Sequence, residues 1–339
     1  MFHASLEKAD STQSQSPTNT PKNDDIYDPI TPLPSSFRIF LTHESTGIYS
    51  MKINYDSGSV DQASNASLTT VLGAPFTNSN NRGLLLNKDG TLLILNYDTR
   101  YVGFLNSTLS AQPTPKVLFD LGGLSGLYGS CQLPNGNYII GSDQWSGKKA
   151  NEYTNAGSLV RTFNSTQQWT FSSCFAISNT RVVWVDYDAN TDQNGDVVVS
   201  DLSGGIWSES GRYVTNTQLS SLPASMWYSV VGHTNGSIYV FPFASGSTRN
   251  KKILKCSSSG DLSDCQLVGE NLPAVFTGID VIQGAAQLPA RDDIAFVSND
   301  RFLYLFNPNT NALIQKTDLS SQIPDPGCCE IRGFTVGSE

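Results

Sequence analysis

One phrase recurs along this sequence: an apolar run, a short polar turn, then a second apolar run. It is met as 84–86, Asn87-Lys88-Asp89-Gly90 and 92–95. It returns as 131–133, Pro134-Asn135-Gly136 and 138–140, and again as 174–177, Ser178-Asn179-Thr180 and 182–185. A fourth copy is 230–231, Thr234-Asn235-Gly236 and 238–241. The fifth runs from Val281 through Gln283-Gly284 and a longer turn at Arg291-Asp292-Asp293 to 294–297. Asn-Gly-like turns between apolar runs are hairpin signals. Units of about 40–50 residues, each a few strands with one such turn, predict an all-β fold, a β-propeller.

The repeat also decides the domain organisation: 339 residues form one large repeat domain rather than two ordinary ones. Complete four-stranded units are expected from about 81, 126, 169, 226 and 275. What remains is one strand at the C-terminal end, 330–336, and three near the start, at 37–41, 47–53 and 68–71. One plus three makes a sixth blade, shared between the two ends, a closure that leaves no open edge. The expectation is six blades, with seven if the long stretch 203–225 hides a split repeat.

Residues 1–35 differ in kind, being polar, Pro-punctuated and nearly free of apolar side chains. Such a segment cannot bury enough surface to offset its ordering entropy. It reads as a disordered tether before a propeller domain at 36–339, similar to the linker behind the lipid-modified cysteine of bacterial surface lipoproteins. A disordered end without a role is the alternative.

Charged residues make up 15% of the chain and the formal charge is −9, so there is no electrostatic footprint for nucleic acid. No run of about 18 apolar residues spans a membrane. Met1-Phe2-His3-Ala4-Ser5 has neither the basic start nor the apolar core of a signal peptide, so a secreted or cell-surface reading places one upstream, already removed.

Six cysteines, an even number, suit an oxidising compartment. Cys256 and Cys265 flank a hairpin tip on the outer strands of the fourth unit and are expected to form a disulfide. Cys131 and Cys174 share a phase on adjacent innermost strands, and Cys328-Cys329 opens the last one. These four read as a disulfide cluster or a metal site, although no CxxC spacing supports the metal, and Cys131 and Cys174 alternatively as small core hydrophobes.

Catalytic candidates are few. Of three histidines, His3 lies in the tether, and His43 and His233 read as exposed loop residues. No GxSxG, HExxH, P-loop or dinucleotide motif occurs. The segment 186–196 is an acidic cluster in which Asp186, Asp188, Asn190 and Asp192 alternate, placing oxygens on one side of a turning loop as Ca²⁺ requires. An ordinary Asp/Asn turn is the competing reading. Asn-x-Ser/Thr sequons at Asn65, Asn106, Asn164 and Asn235 decide nothing in so polar a chain.

The phrase Leu133-Pro134-Asn135-Gly136-Asn137-Tyr138-Ile139-Ile140 resembles the repeats of NHL and YVTN-type propellers over most of 37–336. The resemblance implies the propeller and no ligand. Six-bladed propellers also include gluconolactonase-like metal hydrolases, which hold a divalent ion at the channel mouth with Glu, Asn and Asp. That likeness gives Glu330 and Asp143 two of those parts and leaves the Asn and the proton acceptor without a match.

Aromatic residues Tyr128, Trp169, Phe171, Trp227, Tyr228 and Phe276 fall at or just before the first strand of a unit, where strands gather around the channel. Tyr128, Trp145, Trp169, Trp227 and Tyr228 are the expected ligand-binding set, because amphipathic rings beside Asn, Ser and Asp suit sugars or peptides. Phe171 and Phe276 read as packing between blades. The sequence therefore points to a secreted or surface-tethered propeller that binds a protein or glycan at the channel mouth. A metal-dependent lactonase-like hydrolase and a structural assembly subunit are the alternatives.

Overall fold

A computed structural model describes residues 33–111, 124, 126–143, 150–164, 170–186, 195–213, 226–243, 253–257, 259, 261–268, 282–324 and 331–338. Strands β1 (Ser36–His43), β2 (Gly47–Asn54) and β3 (Val60–Ala66) are followed by a short helix α1 (Leu68–Leu72). Then come β4 (Asn81–Leu86), β5 (Leu92–Asn96) and β6 (Val102–Leu105). Four strands follow, β7 (Leu127–Gln132), β8 (Tyr138–Ser142), β9 (Ala150–Tyr153) and β10 (Leu159–Asn164). The next four are β11 (Phe171–Ser178), β12 (Arg181–Asp186), β13 (Asp196–Ser203) and β14 (Ile206–Tyr213). The next set is β15 (Met226–Gly232), β16 (Ser237–Phe243), β17 (Ile253–Ser257) and β18 (Gln266–Val268). The last comprises β19 (Ile282–Gln287), β20 (Ile294–Ser298), β21 (Phe302–Asn307), β22 (Ala312–Asp318) and finally β23 (Ile331–Gly337).

The fold is an all-β propeller-like ring of sheets. Three sheets are four-stranded, ordered β23-β1-β2-β3, β15-β16-β17-β18 and β19-β20-β21-β22; one is three-stranded, β4-β5-β6. The largest runs β11-β12-β13-β14-β10-β9-β8-β7. First strands neighbour one another around the ring in the cycle β4, β7, β11, β15, β19, β23 and back to β4. β23 pairs antiparallel with β1, so the C-terminal strand shares a sheet with the first three, as the sequence implied.

Second strands lie between neighbouring sheets and are buried on both faces: β5, β8 and β20 are buried throughout. Burial on both faces removes the alternation of a half-exposed strand and leaves continuous apolar runs, which is what the repeated phrase reports. Outermost strands are the reverse, and β3 is almost wholly exposed. The core is accordingly distributed between sheets, as where Tyr239 and Phe241 meet Phe296, Tyr304 and Phe306. The polar turns close as the sequence predicts. Gly90 and Gly136 take φ of +80° and +91° and return their N–H to the carbonyls of Asn87 and Leu133, conformations that glycine adopts without strain.

Two expectations are corrected. The third strand is Val60–Ala66, not 68–71, which is helix α1 capped by Ser67 accepting from the Thr70 N–H. Leu68 and Leu72, one turn apart, supply its buried face, whereas the solvent-facing strand before it carries no apolar signal. His43 and His233 are buried, not exposed. His233 Nδ1 accepts from the Asn235 N–H at 3.0 Å, so its Nε2–H donates to the Asp292 carbonyl at 2.6 Å and ties one sheet to the next.

Candidate functional site at the centre of the ring

Each first strand breaks register with its partner near its start. The pairing steps over Arg82 between Asn81 and Gly83, and over Tyr128 and Gly129 between Leu127 and Ser130. It steps over Ser172, Tyr228 and Gln283 in β11, β15 and β19. In β23 it steps over Arg332, between Ile331 and Gly333. A bulge leaves a residue outside the ladder and re-aims its side chain, and bulges concentrate beside binding and catalytic sites. Here one level of the ring carries Arg82, Tyr128, Ser172, Tyr228, Gln283 and Arg332.

The first strands enclose a cavity of about 370 Å³. Arg82, Tyr128, Ser172, Tyr228 and Gln283 line it at the strand starts, and Lys88, Gln132 and Gln287 at the strand ends. Among the described lining residues Arg82 and Lys88 are the charged ones and none is a carboxylate, in a chain of net charge −9. The Arg82 guanidinium lies 4.7 Å from the ring centroids of both Tyr97 and Tyr128. Its Nε is buried with no hydrogen-bond partner among the described residues, and so is Gln283 Oε1. Arg332, by contrast, is paired: its Nε donates to Glu44 Oε2 at 2.8 Å.

The phenols around Arg82 form a connected set. Tyr97 and Tyr128 meet edge to face at 6.5 Å, and Tyr128 and Tyr228 at 6.0 Å. The Tyr97 hydroxyl donates to Asp143 Oδ2. Burial, reinforced by that carboxylate, pushes Tyr97 up to about 12, and full burial holds Tyr228 well above the ordinary phenol value. Both therefore present O–H groups at physiological pH.

Neighbouring first strands also satisfy each other's open backbone edges. Ser173 Oγ accepts from the Val230 N–H at 3.2 Å, and Ser229 Oγ from the Ala285 N–H at 3.1 Å. Ser172 Oγ donates to the Tyr228 carbonyl at 3.1 Å. At the other end of the strands, Gln132 and Gln287 accept from the N–H groups of Lys88 and Thr234. Cys131 and Cys174, both lining residues, are joined in a disulfide between β7 and β11. Cys256 and Cys265 form the second disulfide, as expected.

Of the expected ligand-binding residues, Tyr128 and Tyr228 come together in the cavity. Trp227, one position away, is fully buried in the core with Val183, Tyr213 and Val240. Phe171 stacks on Trp184 at 5.1 Å, the packing position expected of it. Trp145, Trp169, Phe276, Glu330, Cys328 and Cys329 lie outside the described residues, as do Asp188, Asn190 and Asp192 of the acidic segment and residues 1–32. Asp186 is buried at the end of β12, accepting from the Thr170 N–H at 3.0 Å and from Arg212 at 3.3 Å. Burial raises its carboxyl to about 7 despite Arg212. No group of three or more His, Cys, Asp or Glu suited to a metal ion occurs among the described residues.

Arg82, Tyr97 and Gln283 were not singled out from sequence. The available signal was a cation at the head of an apolar inner strand, Arg82-Gly83-Leu84, where a solvated charge has no place.

No family model matches the chain, and neither does any curated protein. Solved structures do resemble it. One comes from a nidogen/laminin complex, with a TM-score of 0.58 at 9% identity, covering 88% of this chain and 98% of that one. Another is a protein of unknown function from Bacteroides caccae, with a TM-score of 0.57 at 10% identity, covering 90% and 100%. A third is a catalytically inactive virginiamycin B lyase from Staphylococcus aureus with quinupristin, at 0.50 and 14%, covering 86% of each chain. At these identities the likeness is one of fold, and the fold it shows is the propeller.

Proposed function

We propose that this chain is a secreted or surface-tethered six-bladed propeller that acts by binding, with its ligand seated at one mouth of the central channel. The observation that carries the reading is the convergence of five bulged residues, Arg82, Tyr128, Ser172, Tyr228 and Gln283, on a single cavity enclosed by the first strands. The count of six treats the eight-stranded sheet as two blades. Its halves are paired strand to strand only through the short parallel match of Phe163 with Trp207 and Asn164 with Ser208, while every other strand pairing in it is antiparallel.

Two disulfides suit an oxidising compartment, and no helix among the described residues is long and apolar enough to cross a membrane. Residues 1–35 serve as the tether in this reading. The nidogen/laminin neighbour, a propeller solved within a protein complex, accords with a binding role.

The test is a glycan array probed with the full chain, with calcium and again with chelator, beside the variants Tyr128→Ala and Tyr228→Ala. Selective retention that both variants lose supports the reading, and dependence on calcium would bring in the segment after Asp186. Chelator-sensitive hydrolysis by the purified protein, or retention that neither channel variant disturbs, would overturn it.

A further inference from the structure

We infer that Asn65 carries an N-linked glycan, and that this glycan covers the exposed outer edge of the sheet β23-β1-β2-β3. The inference rests on the secreted part of the reading above and makes no use of the channel.

Asn65-Ala66-Ser67 is one of the chain's four Asn-x-Ser/Thr sequons, and the fold separates it from the others. Asn65 lies in β3, where residues 61–65 are all exposed. Its side chain makes no hydrogen bond among the described residues, so the amide is free to bear a bulky, solvated substituent. Asn106 and Asn235 have both ends of the amide engaged in their own turns. Asn106 Oδ1 accepts from the N–H groups of Thr108 and Ser110, and its Nδ2 donates to Ser110 Oγ at 2.6 Å. Asn235 Oδ1 accepts from the Ser237 N–H at 2.9 Å, and its Nδ2 donates to the hydroxyl of buried Tyr239 at 3.2 Å. The Asn164 side chain lies outside the described residues.

The edge of β3 is the second, independent observation. β3 ends its sheet, so one of its edges pairs with no described strand. An unpaired edge is a template for a second chain unless it is short, covered, or marked by charge, lysine above all, or by proline. The other outer strands each have such a device. β6 is buried throughout, β10 and β14 pair with each other, β18 has 3 residues, and β22 carries Lys316 and Asp318. β3 is 7 residues long, has neither lysine nor proline, and carries Asp61 near its start as its one charge. A glycan on Asn65, near the other end, covers the uncharged stretch 62–66.

The modification forms a bond from Asn65 Nδ2 to the anomeric carbon of an oligosaccharide carried on a lipid pyrophosphate. The anomeric C–O bond breaks, the lipid pyrophosphate leaves with that electron pair, and one Nδ2 proton passes to the transferase. The sequon needs a hydroxyl two residues on, here that of Ser67. In the folded chain this hydroxyl is occupied at the start of α1, accepting from the Thr70 N–H at 3.3 Å and donating to Asn78 Oδ1 at 3.2 Å. Transfer therefore precedes folding at this corner, and the fold has to seat the product. On the exposed side of β3 it does so without displacing a described hydrogen bond.

The test sends the full chain, behind a cleavable leader, through a eukaryotic secretory pathway. Peptide mass spectrometry reads occupancy at each sequon, with enzymatic release in heavy-oxygen water marking the modified Asn. The Asn65 peptide is expected to be occupied in most molecules, and Asn65→Gln to lose the mass of one glycan. Light scattering over a concentration series reads the edge. Wild type is expected to keep one size, Asn65→Gln to form larger species, and Asn65→Lys, which marks the edge with a charge instead, to keep the wild-type size. Thermal unfolding of both variants separates association from misfolding. A secreted, folded chain bare at Asn65 overturns the inference and leaves the channel reading, with its own array test, intact. An occupied Asn65 whose Gln variant keeps the wild-type size at every concentration overturns the covering role. A chain that folds in the host cytosol but not behind the leader removes the secreted reading, and this inference with it.

Discussion

Cys131 and Cys174 are bonded across two adjacent first strands, with their Cα atoms 5.3 Å apart and a sequence separation of 43. The bond links consecutive repeats at the wall of the channel, whereas Cys256–Cys265 closes a loop of 9 within one repeat. Closing the longer loop removes more freedom from the unfolded chain, about 4 kcal/mol against about 2.5 in the chain-entropy picture. The paired substitution Cys131→Ala/Cys174→Ala is therefore expected to lower unfolding free energy by about 2–4 kcal/mol, and Cys256→Ala/Cys265→Ala by less. Urea unfolding with and without reductant measures both, and a wild-type midpoint indifferent to reductant would contradict the expectation.

Gly129 lies on β7 against the backbone of β11. A Cβ there would stand 2.5 Å from the carbonyl carbon and oxygen of Ser172 and 2.8 Å from the Phe171 oxygen. Backbone cannot rotate away as a side chain can, so Gly129→Ala is expected to cost about 3 kcal/mol. Gly136→Ala meets open space and pays only for its left-handed φ, about 1–2 kcal/mol. Thermal unfolding of the two variants tests the order, and a larger loss at Gly136 would refute it.

The propeller was legible because its most regular strands are buried on both faces, so 92–95, 138–140 and 182–185 read as unbroken apolar runs that follow short polar turns. Outer strands such as Val60–Ala66 face water and leave no such trace, which is why the neighbouring Leu68 and Leu72 drew the strand assignment. The site was half legible. Tyr128 and Tyr228 stood out as aromatics at strand starts, but successive residues of a strand face opposite sides, and no composition rule distinguishes Trp227 in the core from Tyr228 in the channel. Arg82 and Gln283 escaped notice because a single polar residue becomes meaningful only when the ring brings five other strands against it.

Glu152 joins the two halves of the eight-stranded sheet. It is 1% exposed, and it accepts from Trp207 Nε1 at 2.8 Å and from Asn137 Nδ2 at 2.7 Å, with Arg161 at 3.3 Å. Glu152→Ala leaves the buried Trp207 donor, the half-buried Asn137 amide and one cation without their acceptor, and the expected loss is about 3–5 kcal/mol. Glu152→Gln keeps one acceptor oxygen and is expected to lose less. Denaturant titration of the pair decides, and equal, small losses would show that the stacked rings of Phe163 and Trp207 hold the junction instead.

Asp186 makes stability depend on pH in the direction opposite to most carboxylates. Burial raises it in the folded chain to about 7, and Arg212 offsets only part of that; unfolded, it titrates near the ordinary value of about 3.9. Between those values the folded chain binds the extra proton. The group's stabilising contribution is therefore complete below about pH 4 and is lost as pH rises through about 7. Asp201, lowered by its hydrogen bond from Arg181, has the opposite sign, but it is common to wild type and variant and cancels in a difference. Asp186→Asn removes the titration, so the variant is expected to gain about 2 kcal/mol on wild type between pH 5 and about 7.5. Urea unfolding at the two pH values gives the number, and parallel pH profiles would mean that Arg212 holds Asp186 ionised in spite of its burial.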